Sequence, residues 1–200
     1  MQEQTTEQEL KERLNLIESM IGEGRRSIES WGWTFVLWGV AYYLAMAWGA
    51  WGHSVWAWPV TAMIAVIVTA VVASLRAGNH PRTTLGWAIG SIWIALGISM
   101  FSLFLALGVS GRLTDQHLFV AVMSAILGLA NGASALILRW KIQFACAVLW
   151  WVVAVATCFV TDAQSTILFL VAIFFCQIVF GIYSHIAEAQ QRKRRISIHA

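Results

Sequence analysis

The residues that could coordinate a metal ion are few, and they lie at predicted turns. His53 and His117 map to the same end of the predicted helices, and Asp115 precedes His117 by two positions. Two imidazoles and a carboxylate are a ligand set that zinc accepts. A loop histidine and an aspartate that caps a helix are the commoner use of these residue types. We therefore predict structural roles for these residues and no metal site.

Motifs of known catalytic centres are absent from the sequence. The chain contains no GxSxG, HExxH, CxxC or glycine-rich phosphate-binding loop, which are the short patterns that carry a catalytic mechanism. No histidine falls at mid-depth of a predicted membrane span, so no pair can ligate a haem inside the bundle. The sequence predicts neither an enzyme nor a cofactor.

Three cysteines, Cys146, Cys158 and Cys176, fall inside predicted helices. From the predicted helix ends, they lie near the inner face, near the outer face and at mid-depth, respectively. A disulfide requires Cα atoms within ~7 Å of each other. We therefore expect three free thiols that act as small apolar side chains.

The elements that hold these residues follow from composition. Of the 200 residues, 59% are hydrophobic and 12% are charged, and the mean hydropathy is +0.70. Soluble globular domains are about a quarter charged. The composition excludes a water-soluble globular fold and predicts a polytopic membrane protein.

Long charge-free runs define the predicted membrane spans. The run from Ser30 to Leu75 covers 46 residues, which is long enough for two spans because about 20 helical residues cross the hydrocarbon core. The runs lack the two-residue alternation of barrel strands. We predict an all-α domain over residues 31–186, with six transmembrane helices at residues 31–51, 57–76, 85–108, 116–138, 142–161 and 165–186.

The basic residues predict the orientation of this bundle. With both termini in the cytoplasm, 12 of the 13 basic residues lie on the cytoplasmic side, and Arg112 alone lies outside. Such a bias is typical of membrane proteins. The first thirty residues lack the short apolar core of a cleaved signal peptide. We expect a multi-pass protein of the inner membrane whose first span also serves as its insertion signal.

Residues 1–30 are predicted to form a cytoplasmic amphipathic helix. Apolar residues recur at alternating spacings of four and three, an a/d seam with an interaction face. This face comprises Leu10, Leu14, Ile17, Ile21 and Ile28. The segment carries four basic and seven acidic residues, which disfavours an anionic membrane surface. Three alternatives remain open: the helix lies on the inner leaflet, packs within its own protein or homo-oligomer, or pairs with a partner protein.

Residues 187–200 form a predicted cytoplasmic tail of opposite charge. Its basic cluster is Arg192, Lys193, Arg194 and Arg195. A basic cluster beside a membrane span anchors that span on the cytoplasmic side and contacts lipid headgroups. A sharper hypothesis is that the cluster contacts the acidic amino-terminal helix. Nucleic-acid binding is not expected, because topology already accounts for these charges.

Inside the spans, the polar residues are uncharged. Two pairs of glycines also occur there at a spacing of four residues. Asn131 and Gln177 lie at similar predicted depth, so we predict an interhelical hydrogen bond between them. Small residues four apart allow helices to approach closely. The two such pairs, Gly86 with Gly90 and Gly128 with Gly132, predict tight packing of the third and fourth spans.

Several short motifs resemble a group of uncharacterised bacterial six-span membrane proteins. They are Leu-Ile-Glu-Ser-Met-Ile at residues 16–21, the aromatic-rich segment at residues 33–39, Trp58-Pro59, and residues 93–99 and 128–141. The resemblance implies a six-span architecture with a short charged amino-terminal helix and a bacterial inner-membrane location. It brings no functional residue to this chain.

Two function hypotheses follow. The first is a non-enzymatic assembly, scaffold or regulatory component that uses its amino-terminal helix, because the spans lack ionisable side chains while this helix is patterned. The second is a small transporter or channel for an apolar or neutral solute, lined by Asn131, Gln177, Ser99 and Tyr42. Ion-coupled transport is disfavoured, because such pathways use intramembrane ionisable groups.

Overall fold

The structure, a computed structural model, describes the backbone of residues 2–52, 56–76, 84–110 and 115–199. Side chains are described for residues 8–22, 31–52, 56–76, 84–110, 115–187, 189 and 190. Within these ranges every regular element is helical. The helices are α1 (Gln2–Ser30), α2 (Gly32–Gly52), α3 (Ala57–Arg76), α4 (Thr84–Val109), α5 (Gln116–Leu138), α6 (Lys141–Ala156), α7 (Asp162–Ile173) and α8 (Phe180–His199). A 3₁₀ turn (Thr157–Phe159) follows α6, and a π-helical segment (Phe174–Val179) joins α7 to α8.

Five helical stretches of the described chain are long and apolar enough to cross a membrane. They are Ala57–Leu75, Thr84–Val109, Gln116–Leu138, Lys141–Phe159 and Asp162–Ala187. This result supports an all-α membrane protein. Helix α2 is not among them, although its 21 residues carry no charge, because six are Trp or Tyr and four are Gly. These residue types lower hydropathy without adding charge.

The helix positions follow the prediction closely, with two differences in the last predicted span. The sixth predicted span, residues 165–186, begins three residues earlier, at Asp162. Its helix then continues past residue 187 to His199. The segment predicted as a tail is therefore a continuation of α8, without a break where the apolar sequence gives way to basic residues.

Helix α5 lies at the centre of the bundle. In the most apolar stretch of each helix, 56% of the residues are buried in α5 but only 6% in α3 and in α4. Helices α5 and α6 pack along their length as an antiparallel pair. A short turn joins them, in which Arg139 takes the left-handed conformation, with φ 50°, and ends α5. Helices α3 and α4 form the periphery of the bundle.

Two groups of aromatic rings fix the other helices around this pair. Near the turn between α5 and α6, the ring of Phe180 lies 5.1 Å from Phe35 and 5.2 Å from Trp140. At the opposite end, Phe119 lies 4.8 Å from Trp58 and 4.9 Å from Phe104. Edge and tilted ring contacts of this kind add to the apolar burial. They connect α2, α3, α4 and α8 to the central pair.

Candidate functional site

Helix α1 carries charged residues and also exposes large apolar side chains. Leu10, Leu14, Ile17 and Met20 are 60%, 54%, 53% and 43% exposed, respectively. We call these four side chains the α1 face. Of the other residues predicted for this surface, Ile21 is half-buried, whereas the side chain of Ile28 lies outside the described residues. Contiguous exposed apolar patches mark interaction sites.

Helix α1 also contacts its own bundle. It packs against α4, α8 and α5, and Thr34 closes the turn into α2 by donating its backbone N–H to the Trp31 carbonyl at 2.9 Å. These contacts leave Leu10, Leu14 and Ile17 each more than half exposed. Packing within one chain therefore accounts for the position of α1 but not for its apolar stripe.

The charged residues of α1 whose side chains the structure describes are exposed. Arg13 and Glu9 form an ion pair one helical turn apart at 3.1 Å, with side chains 73% and 62% exposed. Exposed pairs of this kind contribute at most about 1 kcal/mol. Glu12 and Glu18 are also exposed. The charged side chains are thus available to a partner that binds the α1 face.

The basic cluster lies in the carboxyl-terminal part of α8. Helix α8 packs against α1, but the side chains of residues 191–199, which include Arg192, Lys193, Arg194 and Arg195, lie outside the described residues. The contact between these charges and the acidic helix stays a prediction.

Asn131 and Gln177 are both buried, but the structure does not pair them. The Asn131 side-chain amide donates to the carbonyl of Leu127 in its own helix at 2.9 Å. Its Oδ1 has no hydrogen-bond partner among the described residues. Gln177 packs toward α2, where a Cβ at Gly39 would lie 3.0 Å from its Cβ. The predicted hydrogen bond between Asn131 and Gln177 is therefore not formed. Asn131 bonds within its own helix, whereas Gln177 packs against α2.

Other buried polar groups lie on α5 and α6, and the sequence analysis did not single out Gln143 among them. Both amide atoms of Gln143 and the indole nitrogen of Trp150 are buried without a hydrogen-bond partner among the described residues. The hydroxyls of Ser124 and Ser134 share this state. Gln143 stands two residues after Lys141 at the start of α6. A polar residue at such a helix end is expected to face water, so the sequence does not indicate that Gln143 is buried. Such groups can hydrogen-bond to a small polar molecule.

Of the two pairs of glycines spaced four apart, the pair on α5 forms a groove that an aromatic ring fills. A Cβ at Gly128 would lie 2.5 Å from Cδ1 and Nε1 of Trp151, and a Cβ at Gly132 would lie 2.8 Å from its Cη2. The indole of α6 thus lies in the groove that these glycines open on α5. On α4 a Cβ at Gly90 would have no atom within 4 Å, and Gly86 is half-buried. Within one chain, tight packing is seen for α5 but not at Gly90.

His117 joins the amino-terminal end of α5 to the turn that follows α6 and to the start of α7. Its Nδ1 lies 2.7 Å from the carbonyl oxygen of Thr157, and its Nε2 lies 2.6 Å from Oδ1 of Asp162. Both partners are acceptors, and only an imidazolium has two N–H groups to donate to them. Asp115 caps α5 by accepting from the backbone N–H of His117 and of Leu118 at 2.9 and 3.2 Å. This geometry serves to hold three helix ends together.

A metal site at these residues finds no support in the described chain. Among the described residues, no group of three or more His, Cys, Asp or Glu side chains is placed to hold a metal ion. His53, the other ligand considered, lies outside the described residues.

The cysteines are free, but two of them are neighbours. The Cys176 thiol donates to the backbone carbonyl of Cys146 at 3.6 Å, whereas Cys158 is exposed. The prediction of different depths is wrong for this pair. Each lies about 15 residues from the turn at Val160 and Thr161 that joins their two antiparallel helices, so they reach the same depth.

No family model, curated protein or solved structure matches this chain. Its function is therefore argued from its own residues, and the resemblance to a group of six-span bacterial proteins stays an expectation.

Proposed function

We propose that the chain is a six-span protein of the inner membrane with both termini in the cytoplasm. Five apolar helices and the charge-free α2 supply the six spans. The basic residues are concentrated on one side of them, as the positive-inside tendency requires. A reporter fused at Asp162 should then read extracytoplasmic, and one fused at Arg139 cytoplasmic. The reverse readings would refute this orientation.

The function best supported is that of a non-enzymatic assembly or regulatory component that binds through the α1 face. The observation that carries this proposal is the exposure of Leu10, Leu14 and Ile17 along one side of a helix that also carries exposed charged residues. Burying a leucine or isoleucine side chain contributes about 1.5–3 kcal/mol. The α1 face is therefore a surface on which a partner gains substantial affinity.

The lipid surface is a weaker explanation of this stripe. Residues 1–31 carry four basic and seven acidic side chains. Anionic lipids of the cytoplasmic leaflet attract helices rich in Lys and Arg and repel a net negative one. A protein surface need not be negatively charged, so it does not repel α1 as an anionic membrane does.

The test replaces one residue of the α1 face by a charge. In full-length protein purified in mild detergent, Ile17→Asp should remove a bound partner or lower the oligomeric state in native mass spectrometry. Asn15→Asp adds the same charge on another side of α1 and is the matched control. An Ile17→Asp variant that keeps every assembly of the unmodified chain would refute the proposal.

A second candidate function, a site for a small neutral solute, is favoured by the buried unpartnered groups of Asn131 and Gln143. The lining expected from the sequence needs revision, because Ser99 is exposed on α4 while Tyr42 packs in the aromatic core. A neutral polar solute should raise the melting temperature of the unmodified chain but not of Gln143→Leu. A solute that stabilises both equally would exclude this site.

A further inference from the structure

We infer that the occupant of the α1 face is α1 of a second copy of this chain, and that Glu18 pairs with a basic residue of that copy. This inference rests on the proposed function, because it names the partner of the same surface. It is carried by the heptad pattern of an unbroken helix, by the exposure of the core positions Leu10, Leu14 and Ile17, and by the placement of the charges.

The apolar residues of α1 occupy the core positions of a two-stranded coiled coil. The a positions hold Leu14, Ile21 and Ile28, and the d positions hold Leu10, Ile17 and Gly24. The helix runs without interruption from Gln2 to Ser30, which spans these positions. Leucine and isoleucine at a and d favour pairing of helices through such a seam. The described residues at these positions include three that are each more than half exposed in the single chain.

The flanking charges place a cation opposite Glu18 in both orientations of such a dimer. Glu18 and Lys11 occupy e positions, and Arg13 occupies a g position. In a parallel pair, g faces the e position of the next heptad of the partner, so Arg13 meets Glu18. In an antiparallel pair in which the two helices overlap end to end from Gln2 to Ser30, the partner's Ile17 packs against Leu14. In this register e faces e, and Lys11 meets Glu18. Charges at e and g set partner choice and orientation.

The ion pair that Arg13 already makes does not prevent this arrangement. Its bond to Glu9 is solvent-exposed, and a guanidinium has five N–H donors, so one side chain can serve two carboxylates. Glu18 itself is exposed.

Insertion in the membrane favours a second copy of the chain, rather than another protein, as the binding partner of α1. All copies of one chain insert in the same sense, so their α1 helices share one side of the bilayer. The seam covers fewer than three heptads from Leu10 to Ile28, and a helix pair of this length is marginal in free solution. Confinement to one membrane raises the effective concentration of the two helices, as a linker does.

The experiment reverses the charge of Glu18 in the full-length chain. Glu18→Lys places like charges in both symmetry-related pairs, and we expect the dimer association constant in mild detergent to fall about tenfold. The matched control is Glu12→Lys, which makes the same change at an f position on the far side of the seam. The association constant of this control should stay within about twofold of the unmodified value.

Rescue variants test the pairing itself and identify its orientation. Arg13→Glu added to Glu18→Lys restores a parallel dimer, and Lys11→Glu added to Glu18→Lys restores an antiparallel one. Restoration by either supports the inference. Restoration by neither, a dimer unchanged by Glu18→Lys, or an equal loss in Glu12→Lys overturns it.

The outcomes also separate this inference from the proposed function. If the unmodified chain is monomeric at all concentrations, but Ile17→Asp abolishes binding of another protein, the second copy is excluded and the assembly function stands. If Ile17→Asp changes neither the oligomeric state nor any bound protein, the assembly function itself fails.

Discussion

The contact between Trp151 and Gly128 makes a quantitative prediction for the stability of the bundle. In Gly128→Ala the new Cβ would lie 2.5 Å from Cδ1 and Nε1 of the indole, well inside van der Waals contact. The ring must move or the helices must separate. Overpacking of this kind costs ~1–3 kcal/mol, whereas replacing a helical glycine by alanine returns ~1 kcal/mol.

The matched control is the same substitution on the neighbouring helix. A Cβ at Gly90 would have no atom within 4 Å, so Gly90→Ala should keep only the gain from helix propensity. Both variants replace a helical glycine by alanine in the same bundle, Gly90 on the peripheral helix α4 and Gly128 on the central helix α5. The difference in free energy of unfolding between Gly90→Ala and Gly128→Ala therefore isolates the overpacking cost, ~1–3 kcal/mol.

The assay uses the buried thiol of Cys176, which is fully buried in the folded chain. Unfolding of the detergent-solubilised protein by a denaturant exposes this thiol to a fluorogenic maleimide. Cys158→Ser and Cys146→Ala in every variant remove the exposed and the half-buried thiol, so that only Cys176 is labelled. In a Trp151→Ala background the clash is gone, so Gly128→Ala should no longer destabilise. A Gly90→Ala variant that loses as much stability as Gly128→Ala, or a penalty that persists in Trp151→Ala, would refute the reasoning.

Three further predictions concern the contacts of His117, the thiols and the core. His117→Ala removes the bonds to Thr157 and Asp162, so we expect a lower melting temperature; an unchanged melting temperature would show that this link is not structural. In the folded protein a membrane-permeant maleimide should label Cys158 at least about tenfold faster than Cys176, because burial blocks access to a thiol; equal rates in mass spectrometry would contradict the packing. Trp150→Ala should cost about 3–5 kcal/mol, as for other large buried aromatics, whereas Trp150→Phe removes an unpartnered N–H and should cost less than half of that in the same unfolding assay.

The helix positions could be predicted because their signals are local. Charge-free length, the basic residues at the ends and the capping aspartate before α5 each act within a few residues. The predicted start of the last span lies three residues after Asp162, where α7 begins, because Asp162 and Ser165 can both cap a helix and the sequence does not choose between them. Continuation of the helix to His199 was also missed, since a change from apolar to basic residues resembles a boundary.

The candidate interaction surface was predictable for the same reason. Residues 1–30 alternate apolar and polar side chains at helical spacing, so the sequence shows which side of α1 is apolar. Whether that side is covered within the chain required the structure. It leaves Leu10, Leu14 and Ile17 exposed while α1 packs against α4 and α8.

The sequence by itself determined that this is a helical membrane protein, where its helices lie and which helix carries an amphipathic face. The tertiary structure decided which helices meet and by which residues. It placed Cys176 against Cys146, set the indole of Trp151 over Gly128, and left Gly90 open. The physical reason is that a membrane helix is apolar on every side, so its periodicity does not mark the inward face. Only the packing of side chains in three dimensions makes that distinction.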